Sequence, residues 1–97
     1  TDVQAARTLT WQVLAECSNV DETVAGRGKI HALTAAAIMF SADACNRVLN
    51  RALQVHGGSG YIWETEMNRL FRTTKLMEIG AGTTEVRKMI IAGELLR

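Results

Sequence analysis

The chain has 97 residues, of which 47% are hydrophobic and 22% charged, and its 11 Lys and Arg against 10 Asp and Glu give a net charge of +1. This composition predicts one folded domain. It excludes an intrinsically disordered chain and argues against a strongly basic nucleic-acid-binding protein. Proline is absent, which favours long helices, and no uncharged apolar run is long enough to predict a membrane span.

The first predicted helix runs from Asp2 to about Cys17, with Thr1 or Asp2 as its cap. Apolar and small residues recur there every three or four positions, which is the spacing of one helix face. Because the first residue is not methionine and no targeting segment follows it, we expect the sequence to be a piece of a longer protein. The predicted inner face consists of Val3, Ala6, Thr10, Val13 and Cys17.

The second predicted helix runs from about Lys29 to about Val55, after a flexible connection at Gly26 and Gly28. Its middle, residues 32–40, is apolar nearly all round, which predicts burial on several sides. The alanines of this stretch would let neighbouring helices approach closely. Three neighbouring helices offer too little cover for such a helix, so we expect the chain to self-associate.

Two shorter helices complete the chain. Gly57 is expected to end the second helix, because glycine adopts a positive φ at little cost. A third helix is predicted over about residues 66–77 with Thr65 as its cap, and Thr83 caps a fourth after a glycine break at residues 80–82. The whole pattern predicts an all-α, antiparallel four-helix bundle. The expected inward residues are Met67, Leu70, Phe71 and Thr74 in the third helix and Val86, Met89, Ile90 and Ile91 in the fourth.

Several common catalytic and metal-binding patterns are missing. Cys17 and Cys45 make no disulfide framework and are expected to be buried free thiols. His31 and His56 lack partners at metal-ligand spacing, so no metal site is predicted. Residues 57–61 match the nucleophile elbow of hydrolases only in part, because a tyrosine stands at its last glycine position. The glycine clusters can be ordinary helix-ending loops, or they can leave backbone open to an anionic or flat ligand.

Three ordered motifs lie between residues 54 and 86: QVHGGSGY at 54–61, RLFRTTK at 69–75 and GTTEV at 82–86. They resemble, in the same order, the Q-x-x-G-G-x-G-[YF], R-x-x-R-D-A-K and G-T-[ST]-[EQ]-[IV] elements of the acyl-CoA dehydrogenase family. The resemblance implies that residues 1–97 form the C-terminal helical domain of that family. The family's N-terminal helical domain and middle β domain are then absent from this sequence.

The resemblance implies FAD as the cofactor of the full-length protein and α,β-dehydrogenation of acyl-CoA thioesters as its reaction. The implied partners are an acyl-CoA substrate, an electron-transfer flavoprotein and further copies of the chain in a homotetramer. The implied location is the cytoplasm of a bacterium or the mitochondrial matrix of a eukaryote. The same resemblance implies two sets of contacts to FAD. The FAD of a neighbouring subunit is contacted by Gln54, Val55, His56, Gly57 and Gly58, and the FAD in the subunit's own site by Thr83, Thr84 and Glu85. The resemblance also implies that Gly82 lies beside the acyl thioester and that the basic residues Arg69, Arg72 and Lys75 are structural.

Two positions depart from the family's pattern. Thr73 stands where members usually have aspartate, and Ala81 stands where many carry the catalytic glutamate. An alanine cannot abstract a proton. In this respect the sequence is similar to the isovaleryl-CoA dehydrogenase-like branch, whose base comes from an earlier helix. We therefore expect no catalytic residue within this chain and no activity of the isolated piece.

Two other functions stay open. A helical interaction module, or a truncated gene product, could have kept the fold without the flavin, which the missing domains and Ala81 would allow. An acyl-CoA oxidase or another flavoenzyme of the same fold is the second alternative, and oxygen reactivity of the full protein would distinguish it.

Overall fold

The computed structural model describes residues 1–19 and 28–97, and these residues form helices with no strand among them. The all-α prediction is confirmed, with one further helical turn that the sequence did not predict. The predicted connection at Gly26 lies outside the described residues. Within the described ranges, no helix is both long and apolar enough to cross a bilayer. The helices are α1 (Asp2–Cys17), α2 (Lys29–His56), α3 (Gly58–Tyr61), α4 (Glu66–Leu76) and α5 (Thr84–Leu95).

Helix α2 is the central helix of the fold, since every other described helix packs against it. Its 28 residues span about 42 Å, and α1 lies antiparallel beside it. The start of α1 meets the second half of α2, where Arg47 contacts Asp2. The end of α1 meets the first half of α2, where the Cys17 Sγ lies 3.9 Å from the Thr34 Oγ1. These two contacts fix the direction of α1.

Helices α4 and α5 lie along successive halves of α2 and also run antiparallel to it. Near the end of α4 the Thr74 carbonyl accepts a hydrogen bond from Asn46 Nδ2 at 3.4 Å. Near the end of α5 the Glu94 Oε1 lies 3.3 Å from His31 Nδ1. The connection between α4 and α5 therefore lies beside the middle of α2.

Small side chains make the close contacts of the core. Ala44 is 1% exposed, and three further alanines of α2 are also buried. Alanine lets helix axes approach closely, as the sequence predicted, and it also costs no side-chain entropy on burial. The buried hydrophobic residues are Val13, Ala35, Ala37, Ala42, Ala44 and Met67.

The predicted inner faces of α4 and α5 are right only in part. Leu70 is 45% exposed, and in α5 Val86 and Met89 are 43% and 72% exposed. The physical reason is that, among the described helices, α5 packs against α2 only, and α4 packs against α2 and the single turn of α3. The described helices therefore cover only a narrow stripe of each. The expected burial of both cysteines is also wrong for Cys45, which is exposed because it faces a shallow groove.

The ion pair between Asp2 and Arg47 joins the first turn of α1 to α2. Both Asp2 carboxylate oxygens accept from the guanidinium at 3.2 Å, and this hydrogen bonding lowers the pKa of Asp2. A carboxyl group with a lowered pKa in the folded state stabilises the fold above its unfolded pKa, and that contribution disappears as the pH falls through the folded value.

We expect Asp2→Asn to reduce the free energy of unfolding at pH 7 and to reduce it less at pH 2, because protonation of the wild-type carboxyl group weakens its pair with Arg47. Urea unfolding at both pH values measures this difference. Glu64→Gln is a control at an exposed position, and we expect it to change the free energy of unfolding at pH 7 by less than about 0.5 kcal/mol. Equal losses from Asp2→Asn at both pH values would contradict the prediction.

Candidate functional site

The predicted site residues lie in two segments at opposite ends of α4. We call residues 57–60 the glycine turn; it follows the end of α2. We call residues 77–83 the α4–α5 loop; it precedes the first turn of α5. Helix α4, whose 11 residues span about 16 Å, lies between the two along the chain. The two predicted FAD-contacting segments are therefore separated in the sequence by a whole helix.

The glycine turn combines one tightly packed glycine with two open ones. Gly57 ends α2 with φ +62°, and its N–H donates to the Leu53 and Gln54 carbonyls at 3.2 and 3.1 Å, as expected of a helix-ending glycine. No heavy atom lies within 4 Å of the position that a Cβ would take on Gly57 or Gly58. Gly60 is buried, and a Cβ there would lie 2.9 Å from the His56 Cβ. The turn thus leaves bare backbone on its outer side.

The side chains just before the glycine turn are exposed. Val55 is 87% exposed, so its apolar surface is open to solvent. The exposed His56 ring lies with its Nδ1 2.9 Å from the Ala52 carbonyl, and the Ser59 hydroxyl donates to the His56 carbonyl at 2.7 Å. Together with the exposed Gln54 amide, this surface offers hydrogen-bonding and apolar contacts to a ligand or a second subunit.

The α4–α5 loop reverses direction through two residues in the left-handed region. Ala81 has φ +54° and Gly82 has φ +103°. Thr83 then caps α5 as predicted, because its Oγ1 accepts from the Val86 N–H at 3.2 Å. The N–H of Thr84 donates to the Glu78 carbonyl at 3.0 Å and so ties the helix start back to the loop.

Several main-chain donors in and after this loop have no acceptor among the described residues. They are the N–H groups of Ala81, Gly82, Thr83 and Glu85. A helix N-terminus attracts negative charge and oxygen acceptors, since its first N–H groups are unpaired and the helix dipole is positive there. The stretch 81–85 can therefore bind an oxygen-rich ligand.

Neither carboxylate near this stretch is arranged as a catalytic base. The Glu78 Oε2 lies 2.6 Å from Lys75 Nζ, and this contact raises the pKa of Lys75. Glu85 is exposed in the first turn of α5, where its charge suits the helix dipole. Ala81 contributes only a methyl group at the turn itself.

Two of the three basic residues of α4, Arg72 and Lys75, have local partners. Lys75 pairs with Glu78, and the Arg72 guanidinium lies 4.4 Å from the centroid of the exposed Trp63 ring. A cation above an aromatic face at this distance is attracted to it. The structural role expected for Arg69, Arg72 and Lys75 stays a prediction.

Sequence reasoning missed Arg87, the residue that holds the α4–α5 loop. Its guanidinium is buried and donates to the Met77 and Gly80 carbonyls at 2.9 and 3.1 Å. Helical periodicity assigns an arginine to the exposed face of a helix, so it does not predict that Arg87 is buried. One signal in the sequence could have indicated this role. The last carbonyl groups of a helix lack intrahelical donors, and Arg87 follows the end of α4 closely enough in sequence to supply them.

The chain is similar to known proteins along its whole length. The chain matches a family model described as acyl-CoA dehydrogenase, C-terminal domain, over residues 1–96. It is 40% identical over 98 residues to the mitochondrial isovaleryl-CoA dehydrogenase of Oryza sativa subsp. japonica, covering 100% of this chain and 22% of that protein. It is 46% identical over 59 residues to the probable acyl-CoA dehydrogenase YngJ of Bacillus subtilis, covering 61% of this chain and 16% of that protein.

A third relative is the caffeyl-CoA reductase-Etf complex subunit CarC of Acetobacterium woodii, which is 38% identical over 58 residues, 60% of this chain and 15% of that protein. The chain thus spans less than a quarter of the length of each of these relatives. The family model, in contrast, covers nearly every residue of the chain. The chain therefore belongs to the acyl-CoA dehydrogenase family, whose C-terminal domain it matches.

Proposed function

We propose that this chain serves as the C-terminal domain of an FAD-dependent acyl-CoA dehydrogenase, which removes the α-proton and a β-hydride from an acyl-CoA thioester. One observation carries the proposal. Among the described residues, the capped start of α5 leaves four unpaired N–H donors within residues 81–85. Three of them, at Gly82, Thr83 and Glu85, are positions at which the family resemblance puts contacts to FAD or to the acyl thioester. In this proposal Gly82 lies beside the thioester, and Thr83, Thr84 and Glu85 contact FAD.

The glycine turn also fits a flavin cofactor. The open backbone at Gly57 and Gly58 lets a flat group approach closely, and the exposed Gln54 amide, Val55 and His56 side chains border it. Bound FAD would supply the acceptor for the hydride. The residues of this chain would bind and orient it, and they would help to exclude water from the reacting carbons.

The separation of the two segments supports an oligomer in which each flavin is contacted by two subunits. The glycine turn of one copy would serve the site formed by the α5 start of another, since about 16 Å of α4 lies between them in one chain. A shallow apolar groove of about 390 Å³ between α1, α2 and α4 adds uncovered surface, with Ile38 44% exposed. Both features favour the homotetramer that the family resemblance implies.

The catalytic base would come from sequence outside these 97 residues. Ala81 has no proton-accepting group, and Glu78 is occupied by Lys75. We therefore propose that the isolated chain is inactive. An electron-transfer flavoprotein is the proposed electron acceptor, and the printed name of the Acetobacterium woodii relative, a subunit of an Etf complex, supports that class of partner. The proposed location is the cytoplasm in a bacterium or the mitochondrial matrix in a eukaryote.

A helical interaction module without flavin is the second candidate function. The apolar groove, lined among others by Leu14, Ile38 and Met77, is the observation that favours it. The two candidates differ in a simple property: the complete enzyme contains FAD when purified, and the interaction module does not.

We expect Gly58→Leu in the complete protein to reduce FAD affinity by more than about tenfold, because the new side chain would occupy the open backbone surface of the glycine turn. Bound flavin is measured by its visible absorption and activity by oxidation of short branched acyl-CoA thioesters. Gly93→Leu is the matched control, since a Cβ at Gly93 also meets nothing within 4 Å and the residue lies in neither segment.

Two results would contradict the proposed function. One is a wild-type complete protein that holds no flavin and gains none from added FAD. The other is clear turnover by the isolated 97-residue chain supplied with FAD, which would overturn the assignment of the base to another part of the protein.

A further inference from the structure

Arg87 is buried without a carboxylate partner. It is 6% exposed, and none of the ion pairs among the described residues includes it. Its Nη1 donates to the Met77 carbonyl at 2.9 Å and its Nη2 to the Gly80 carbonyl at 3.1 Å. Both acceptors belong to the α4–α5 loop, so the first turns of α5 reach back to hold the segment that precedes them.

The end of α4 explains why a cation is stable in this place. Met77 is the C-cap of α4, where carbonyl groups lack intrahelical donors and carry the negative end of the helix dipole. The planar guanidinium presents several N–H groups in a fixed fork, which suits two separate carbonyls better than the single ammonium of a lysine. Arg87 thus supplies donors to two carbonyl groups at and just after the end of α4.

The contact to Gly80 also fixes the next main-chain donor. The Gly80 carbonyl and the Ala81 N–H belong to one planar trans peptide and point to opposite sides of it. Because Arg87 binds that carbonyl, the Ala81 N–H is directed away from the guanidinium. Gly80 is held from the other side as well, since its N–H donates to the Leu76 carbonyl at 2.6 Å.

We propose that Arg87 is a positioning residue for the flavin and thioester site: by binding the Met77 and Gly80 carbonyls it sets the orientation of the unpaired donors in residues 81–85. This inference rests on the proposed function, which assigns the residues of three of those donors, Gly82, Thr83 and Glu85, to ligand contacts. Arg87 acts through the loop and has no ligand contact of its own in this arrangement.

The test uses the complete protein with FAD bound. Arg87→Met removes the guanidinium and keeps an unbranched side chain, and we expect it to lower kcat per bound FAD by about tenfold or more and to raise KM for the acyl-CoA, since small misplacements of binding groups have effects of this size. Arg87→Lys keeps the charge and one donor, so it should recover part of the loss. Lys88→Met removes the neighbouring exposed cation and should stay within about twofold of wild type.

Three measurements distinguish a positioning role of Arg87 from a purely structural role and from failure of the proposed function: Tm, kcat and KM per FAD-bound molecule, and FAD content. A purely structural role would reduce the amount of folded protein and its Tm, with kcat and KM per FAD-bound molecule unchanged. That result in Arg87→Met, or in Arg87→Lys if the methionine variant does not fold, would overturn the inference. A changed visible spectrum of the bound flavin together with altered kcat and KM would support it. A wild-type protein without FAD and without activity would instead refute the proposed function.

Discussion

Replacing Gly60 by alanine is expected to destabilise the chain by about 1–2 kcal/mol. Gly60 is buried in α3, and an added Cβ would lie 2.9 Å from the His56 Cβ and 3.0 Å from the Leu53 carbonyl oxygen. Neither atom belongs to the far end of a flexible side chain, so α3 would have to move away from α2. Such overpacking costs about 1–3 kcal/mol, from which the usual helical gain of alanine over glycine, about 0.5–1 kcal/mol, is subtracted.

Gly58→Ala is the matched control for that experiment, because it makes the same chemical change two residues earlier. A Cβ on Gly58 meets nothing within 4 Å, so we expect stability to be unchanged or raised by about 0.5 kcal/mol. Urea unfolding of both variants gives the comparison. Equal stabilities of the two variants would show that α3 can shift without cost, contrary to the packing described.

Enlarging Ala44 to leucine is expected to cost about 1–3 kcal/mol or more by separating α1 from α2. Ala44 is 1% exposed, and it lines a cavity between α1 and α2 together with Val3 and Ala6. Three added carbon atoms at a position with so little exposed surface displace their neighbours, and α1 is the helix that would move outward. Such a movement would also weaken the pair between Asp2 and Arg47, which joins the same two helices.

Cys45→Leu tests whether the loss at Ala44 comes from crowding and not from a larger side chain on α2 in general. Cys45 is exposed at the apolar groove, so leucine there should change stability by less than about 0.5 kcal/mol. Differential scanning calorimetry would show a lowered Tm for Ala44→Leu only. A similar loss in both variants would argue against a close α1–α2 contact at Ala44.

The helices could be predicted from the sequence because local signals mark their ends. Gly57 stops α2 with a positive φ, and Thr83 caps α5 through its hydroxyl group, both as expected. Thr65 precedes α4 as predicted, yet its hydroxyl donates backward to the Ile62 carbonyl at 3.0 Å and does not accept from α4. Residue type thus predicts where a helix begins more reliably than it predicts which hydrogen bond the capping residue makes.

The inner faces and the loop geometry were harder to predict for a physical reason. Hydrophobic periodicity assumes a neighbour on each apolar face, whereas Met89 of α5 is exposed because α2 covers only one side of that helix. The left-handed conformation of Ala81 is equally invisible in the sequence, since alanine has no preference for it. The roles of the predicted FAD-contacting residues are proposals, because the flavin and the second subunit that would complete the site are not part of this chain.

The contacts that shape the α4–α5 loop are all short in sequence. The bonds from Arg87 span ten and seven residues, and the contact between the Thr84 hydroxyl and the Glu78 carbonyl spans six. Closing such short segments costs little chain entropy. The loop can therefore take its final form once α4 and α5 dock on α2. A large enzyme built around this domain would then assemble its remaining parts onto a donor surface that is already in place.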